Sequence, residues 1–189
     1  MKKTIQSYKS QLAGTDIRYN FFNFSNVALD LKAHFDAGEF FIERRDQTSF
    51  DLFSKEMGYK LPQDICEYIN AYWHPGIFGY YKTSECIVLF PVVRYTNDTP
   101  NSILMQKDGL IPSAKKWEKL YGGDITRYLP IGYLSYSEMN VLYEVNSGKI
   151  FLEDLDNEGS PENNPIANSF KELIGNLKVF PASQRSDYI

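Results

Sequence analysis

The chain has 189 residues, a formal net charge of −4, and 43% hydrophobic and 15% aromatic residues. This length fits one domain with a sizeable core, and the charge argues against direct binding of nucleic acid, which needs a basic stripe. No stretch approaches the 18 apolar residues of a membrane span, and the first seven residues lack the apolar run of a signal peptide. We therefore predict a cytoplasmic protein without membrane insertion.

The first third of the chain predicts helices. Residues 1–24 are polar with scattered aromatics and are predicted to form an irregular lead-in. Ser25 or Asn26 is predicted to cap a helix that ends near Ala37. Residues 46–57 predict a second helix.

The middle of the chain predicts a change from helix to strand. Residues 61–72 predict a third helix, since proline suits a first helical turn. The β-branched and aromatic runs at 77–81 and 86–93 then predict two strands. Residues 112–121 follow as another helix.

Three further strands are predicted at 128–134, 141–145 and 149–153. The turn at 146–148, Asn-Ser-Gly, is too short for a parallel crossover. These strands are therefore predicted to be consecutive and antiparallel.

A closing helix is predicted over 166–177, because its apolar residues recur at helical spacing. They are Ile166, Phe170, Leu173, Ile174 and Leu177. The order of elements predicts an α+β fold, with a mostly antiparallel sheet flanked by helices. We expect a single domain made of an N-terminal helical extension (1–58), a core (59–180) and a tail (181–189).

The acidic segment, residues 153–162, is the sharpest charge feature of the sequence. It fits a solvated loop, or an acidic surface that faces a basic partner. Oxygen ligands alternate from Asp154 as in a calcium loop, but position twelve is Pro165 where that pattern needs Glu. A carboxylate pair for glycoside hydrolysis is a further alternative. The residues predicted to form a partner-binding face are Glu153, Asp154, Asp156, Glu158, Tyr133, Tyr136 and Tyr143.

The two histidines and two cysteines show no catalytic or metal-binding spacing. His34 and His74 are predicted to be structural, because a catalytic base needs a nucleophile and an orienting group. Cys66 and Cys86 are predicted to be reduced thiols and lack the four-ligand pattern of zinc sites. We therefore expect no catalytic residues, no metal, no cofactor and no enzyme activity.

Three motifs resemble a known family when they are taken together. They are Leu61-Pro62 at the start of a helix, Leu129-Pro130-Ile131-Gly132 followed by two strands, and Ala167-Asn168-Ser169-Phe170 at the closing helix. In this order they resemble the SUKH superfamily of bacterial immunity proteins, over about residues 60–177. Residues 72–76 and 111–114 depart from its usual pattern, which leaves the subfamily open.

The resemblance implies a SUKH-like fold and a protein that neutralises a cognate bacterial toxin by direct stoichiometric binding. Such toxins include nucleases and deaminases. An alternative is a Syd-like adaptor that binds a housekeeping protein, and a small hydrolase is a third. The matched residues are mainly structural, so the resemblance implies no binding residue, and the sequence leaves the oligomeric state open.

Overall fold

The computed structural model describes residues 1–13, 24–96, 104–105 and 109–179. The helices in these ranges are α1 (Lys2–Leu12), α2 (Leu29–Asp36), α3 (Asp51–Met57), α4 (Gln63–Ile69), α5 (Leu110–Tyr121) and α6 (Phe170–Asn176). The strands are β1 (Ile42–Glu43), β2 (Tyr72–Trp73), β3 (Phe78–Gly79), β4 (Ile87–Leu89), β5 (Tyr128–Leu134), β6 (Asn140–Glu144) and β7 (Ile150–Leu152). The fold is α+β with antiparallel sheets, as predicted.

Five strands form the main sheet in the order β3-β4-β5-β6-β7, and every neighbouring pair is antiparallel. The prediction of three consecutive antiparallel strands, now β5, β6 and β7, is confirmed. Gly148 lies in the turn between the last two at a φ of 74°, and its N–H donates to the carbonyl of Glu144 at 2.9 Å. Glycine adopts this left-handed backbone without the steric cost of a Cβ.

Both faces of the main sheet are covered, and successive residues of β6 show this. Val141 and Tyr143 belong to the larger core, which also holds residues of α4 and α6. Leu142, between them, packs with Trp117 of α5 and with Phe151. Because side chains alternate along a strand, the sheet separates these two apolar clusters.

The closing helix is shorter than predicted. α6 begins at Phe170, after the Ser169 side chain caps it by accepting from the N–H of Glu172 at 3.0 Å. Ile166 is therefore not on the helix, and its N–H donates to the carbonyl of Ile150 at 2.8 Å beside β7. Phe170 is fully buried, 5.1 Å from Tyr68 between ring centroids, so α6 covers the sheet as predicted.

The prediction of an irregular N-terminal lead-in is wrong for residues 2–12, which form α1. Ile5 and Tyr8 are fully buried, and α1 packs on α6. The hydroxyl of Tyr8 donates to the carbonyl of Phe78 at 2.7 Å and accepts from its N–H at 3.2 Å. Burial of one helical face therefore outweighs the high polarity of this stretch.

The helices α2 and α3 start later than predicted. α2 starts at Leu29 with Ala28 as its N-cap, and the N–H of Ala28 donates to the carbonyl of Arg94 at 2.8 Å. The predicted caps, Ser25 and Asn26, lie before this contact. α3 starts at Asp51 instead of residue 46.

Hydrogen bonds of Arg44 and Thr48 explain why α3 starts later in the chain than predicted. Its guanidinium donates to the carbonyl of Ile69 at 2.8 Å and to the hydroxyl of Thr48 at 3.1 Å. The N–H of Thr48 in turn donates to Asn70 at 2.9 Å. These bonds use the backbone and side chains of the segment before α3, so it does not join the helix.

The predicted tail, 181–189, lies outside the described residues. Within the described ranges, no helix has the length and apolar character that crossing a bilayer requires.

Candidate functional site

The acidic segment is a hydrogen-bonded loop, and its residues 155–158 are exposed to solvent. The N–H of Asp154 donates to the carbonyl of Ser160 at 2.8 Å, which closes the loop. The Asp154 carboxylate accepts from the N–H of Asp156 at 3.0 Å, and Gly159 turns the chain at a φ of 82°. The backbone of this segment is therefore held by its own hydrogen bonds.

Glu153, the first residue of this segment, is a correction to the predicted partner face. Its side chain is only 5% exposed. It continues the line of β7 and forms an isolated bridge with Pro161. Little of Glu153 is therefore open to a partner, although it lines the floor of the cleft described below.

Tyr143 is a second correction. It is 4% exposed, and its hydroxyl donates to Asp64 of α4 at 2.9 Å. Burial, together with the Asp64 charge, raises the pKa of the Tyr143 hydroxyl. Tyr143 therefore ties the sheet to α4 within the core.

The two remaining tyrosines of the predicted face are exposed, Tyr133 by 40% and Tyr136 by 87%. Tyr133 is near the end of β5. Tyr136 is in the following turn, where its N–H donates to the Glu85 carboxylate at 2.9 Å. The structure places Tyr133 in the same cleft as Asp154 and Glu158, whereas Tyr136 and Asp156 are outside its lining.

A cleft of about 590 Å³, here called the α5 cleft, brings these residues together. Its floor is the β4–β5 pair (Val88, Pro130, Gly132) and one wall is α5 (Ser113, Lys116, Trp117). The other walls are the β5–β6 turn (Ser137, Glu138, Met139) and the acidic segment (Asp154, Leu155, Glu158). Sequence reasoning missed the α5 wall, although the amphipathic pattern around Trp117 marks a helix with one buried face.

The rim of the α5 cleft combines negative charge with exposed apolar side chains. Glu138, Asp154 and Glu158 line it, and Lys116 is the basic residue among the described lining. Leu155 is 70% exposed and adds an apolar side chain to this rim. Such a surface suits a partner that offers both cationic and apolar groups.

Glu138 has an unusual backbone conformation at this rim. Its φ is 59°, in the left-handed region that side chains other than Gly, Asn and Asp rarely adopt. The N–H of Glu138 donates to the carbonyl of Leu134 at 3.0 Å, which holds the turn closed. The β5–β6 turn thus places the backbone of Glu138 on the wall opposite α5.

The two histidines lie in different environments, and neither is part of a catalytic pair. His34 is exposed, and its Nδ1 lies 2.6 Å from the Glu39 carboxylate. His74 is fully buried, and burial, aided by the charge of Arg44, lowers the pKa of its imidazole to about 3. His74 is therefore neutral in the folded protein at physiological pH.

The cysteines are free thiols, and burial raises the pKa of Cys66 to about 11. A thiol with a raised pKa is a poor nucleophile at neutral pH. Among the residues that the structure describes, no group of three or more His, Cys, Asp and Glu side chains is arranged to hold a metal ion.

No protein-family model matches this chain, and no curated protein matches it significantly. The motifs that carry the SUKH resemblance lie at the start of α4, along β5 to β7, and at the start of α6. The SUKH resemblance therefore stays a prediction that these motifs carry.

Proposed function

We propose that this protein is an immunity protein of SUKH-like fold, which neutralises a cognate bacterial toxin by stoichiometric binding. The α5 cleft is its binding site. The observation that carries the proposal is the combination of carboxylates and exposed apolar side chains around this cleft. Asp154, Glu158 and Glu138 supply the charge, and Leu155 and Tyr133 supply the apolar contact.

The charge of the rim favours a basic partner. Nuclease toxins act on polyanions, so the surface around their active site carries positive charge. Carboxylates at the cleft attract such a surface and raise the association rate. A bound immunity protein would then cover the region that the nucleic acid needs.

The exposed apolar residues would hold the complex once it has formed. Aromatic and large apolar side chains that become fully desolvated carry most of the binding energy in protein interfaces. Tyr133 and Tyr121 are each 40% exposed at the cleft, and Leu155 is more exposed still. These three side chains are the anchors that the proposal assigns.

The α5 cleft acts here by binding, without a catalytic role. Glu153 is the buried carboxylate at its floor, and both of its oxygens accept hydrogen bonds from N–H groups of the protein. A general base needs a free lone pair aimed at the substrate. Glu153 therefore fits a structural role within a binding site.

A matched pair of exposed leucines tests the proposal in cells. The protein is co-expressed with the toxin domain encoded beside its gene, under conditions where the toxin alone arrests growth. We expect the wild type to restore growth and Leu155→Arg to lose this protection, because it places a cation and a bulky side chain in the acidic cleft. Leu29→Arg, on α2 at 78% exposure, should protect as the wild type does.

Two results would contradict the proposal. If Leu155→Arg protects as well as Leu29→Arg, the cleft is not the binding site. If the folded wild type fails to restore growth, immunity is contradicted and the Syd-like adaptor becomes the working hypothesis.

A further inference from the structure

The carboxylate of Glu153 joins three elements that wall the α5 cleft. Its Oε1 accepts from Nε1 of Trp117 at 2.6 Å and from the N–H of Gly159 at 3.0 Å. Its Oε2 accepts from the backbone N–H and Nδ2 of Asn140, at 3.1 and 2.7 Å. Helix α5, the start of β6 and the acidic segment therefore meet at one side chain.

Burial of this carboxylate is costly. All four N–H donors belong to neutral residues, and Glu153 is 95% buried. Hydrogen bonds offset the desolvation of a buried charge, but an apolar residue of similar volume often gives equal or greater stability. Unlike an apolar side chain, the carboxylate orients its neighbours, because hydrogen bonds hold four N–H groups at preferred angles around its two oxygen atoms.

We propose that Glu153 is a positioning residue of the α5 cleft, an inference that rests on the function proposed above. It fixes the acidic segment against α5, so that Asp154, Leu155 and Glu158 line the cleft together. Glu153 is almost fully buried and acts through these neighbours.

The acidic segment packs so closely against α5 that no further atom fits between them at Gly159. A Cβ added at Gly159 would lie 2.1 Å from the carbonyl oxygen of Tyr121, the last residue of α5. The two backbones are therefore in direct contact at the point where Glu153 accepts from Gly159. A loss of the Glu153 hydrogen bonds would let the segment move off α5 and displace residues 154–158 from the cleft.

Three substitutions separate the parts of this arrangement. Glu153→Ala removes both acceptors. Glu153→Gln keeps one carbonyl oxygen for Trp117 and Gly159 but loses the acceptor for the N–H of Asn140. Trp117→Phe keeps an aromatic ring and removes one donor. Glu118→Gln, an equal charge change at an exposed position of α5 outside the cleft lining, is the control.

Amide hydrogen exchange at Gly159 tests the positioning without any partner. We expect exchange at this amide to be at least about tenfold faster in Glu153→Ala, which corresponds to about 1.4 kcal/mol. Trp117→Phe and Glu153→Gln should be intermediate, and Glu118→Gln should match the wild type. Unchanged exchange at Gly159 in Glu153→Ala would overturn the inference. If Glu153→Ala does not fold, unchanged exchange at Gly159 in both Glu153→Gln and Trp117→Phe would overturn the inference.

Affinity for the purified toxin domain encoded beside the gene tests the link to binding. We expect Glu153→Ala to bind at least about tenfold more weakly at temperatures where it is fully folded, with partial recovery in Glu153→Gln. Wild-type affinity in a variant whose Gly159 exchange is accelerated would show a merely structural role and overturn the inference. If the wild type itself does not bind the toxin domain, the proposed function fails. The exchange experiment alone then decides whether Glu153 positions the segment.

Discussion

The backbone N–H of Gly76 donates to Nδ1 of His74 at 3.2 Å. This bond makes Nδ1 an acceptor, so the neutral imidazole carries its proton on Nε2. The ring is stacked against Phe41 at 5.5 Å between centroids and meets the edge of Tyr68 at 5.0 Å. Protonation of Nδ1 would break the Gly76 bond and place a cation in this buried aromatic site.

His74 should make the protein sensitive to acid. Its folded pKa of about 3 lies below the ordinary value of 6.5, so its contribution is fully present above pH 6.5 and is lost as the pH falls toward 3. Between pH 7 and 5 we expect a loss of about 2 kcal/mol in the free energy of unfolding. Urea denaturation at the two pH values measures this loss.

Replacing each histidine by asparagine shows which of the two causes the acid sensitivity. His74→Asn places Oδ1 near the position of Nδ1 and should flatten the dependence on pH, at some cost in overall stability. His34→Asn, the same change at an exposed site, should keep it. If the free energy of unfolding of His74→Asn falls with pH as steeply as that of the wild type, other groups cause the acid sensitivity.

Phe170 anchors the closing helix, and its removal should be among the most destabilising changes in the core. The side chain is fully buried and contacts the rings of Tyr68 and Tyr143, with centroids at 5.1 and 6.5 Å. Phe170→Ala should lower the free energy of unfolding by about 3–5 kcal/mol. Lys171→Ala, the next residue and exposed, should change it by less than about 1 kcal/mol. A similarly small loss for Phe170→Ala would show that α6 does not cover the sheet.

Two glycine-to-alanine changes should act in opposite directions. Gly159 has a positive φ and no room for a Cβ beside Tyr121, so Gly159→Ala should cost at least about 2 kcal/mol. Gly175, inside α6, has Thr4 at 3.7 Å as the nearest neighbour of an added Cβ, so Gly175→Ala should stabilise by about 0.5–1 kcal/mol. Thermal unfolding of both variants measures the difference. A stable Gly159→Ala protein would show that the acidic segment does not rest on α5.

Local patterns in the sequence were enough to predict that β5, β6 and β7 are consecutive and antiparallel and that the last helix buries one face. The Asn146 to Gly148 turn is short, so the strands beside it must be antiparallel. Spacing of Phe170, Leu173 and Ile174 predicted the buried face of α6. These features depend on residues that are close together in the chain.

The burial of Tyr143 could have been predicted from alternation, whereas that of Glu153 could not. Tyr143 is two residues from Val141 on the same side of β6, which faces the core. Glu153 stands at the start of an acidic run, and its burial depends on Trp117, 36 residues earlier in the chain. The residues next to Glu153 in the sequence give no information about such a distant donor. For the same reason α1 was missed, since its buried face packs on residues that are distant in the chain, such as those of α6 and Phe78.

We propose that the α5 cleft attracts and binds a basic toxin surface. The most direct measurement is the association rate between the purified protein and an inactivated toxin domain, at low salt and near 0.5 M. The test variant is Asp154→Asn/Glu158→Gln, which neutralises two carboxylates of the cleft. The control is Asp36→Asn/Glu39→Gln, which removes the same charge from the exposed end of α2.

Electrostatic steering predicts a clear difference between the two double variants. The cleft variant should associate about tenfold more slowly at low salt. It should come within about twofold of the wild type near 0.5 M, where the Debye length falls to about 4 Å. The control should follow the wild type at both salt concentrations. Equal rates for the cleft variant and the wild type at low salt would contradict the claim.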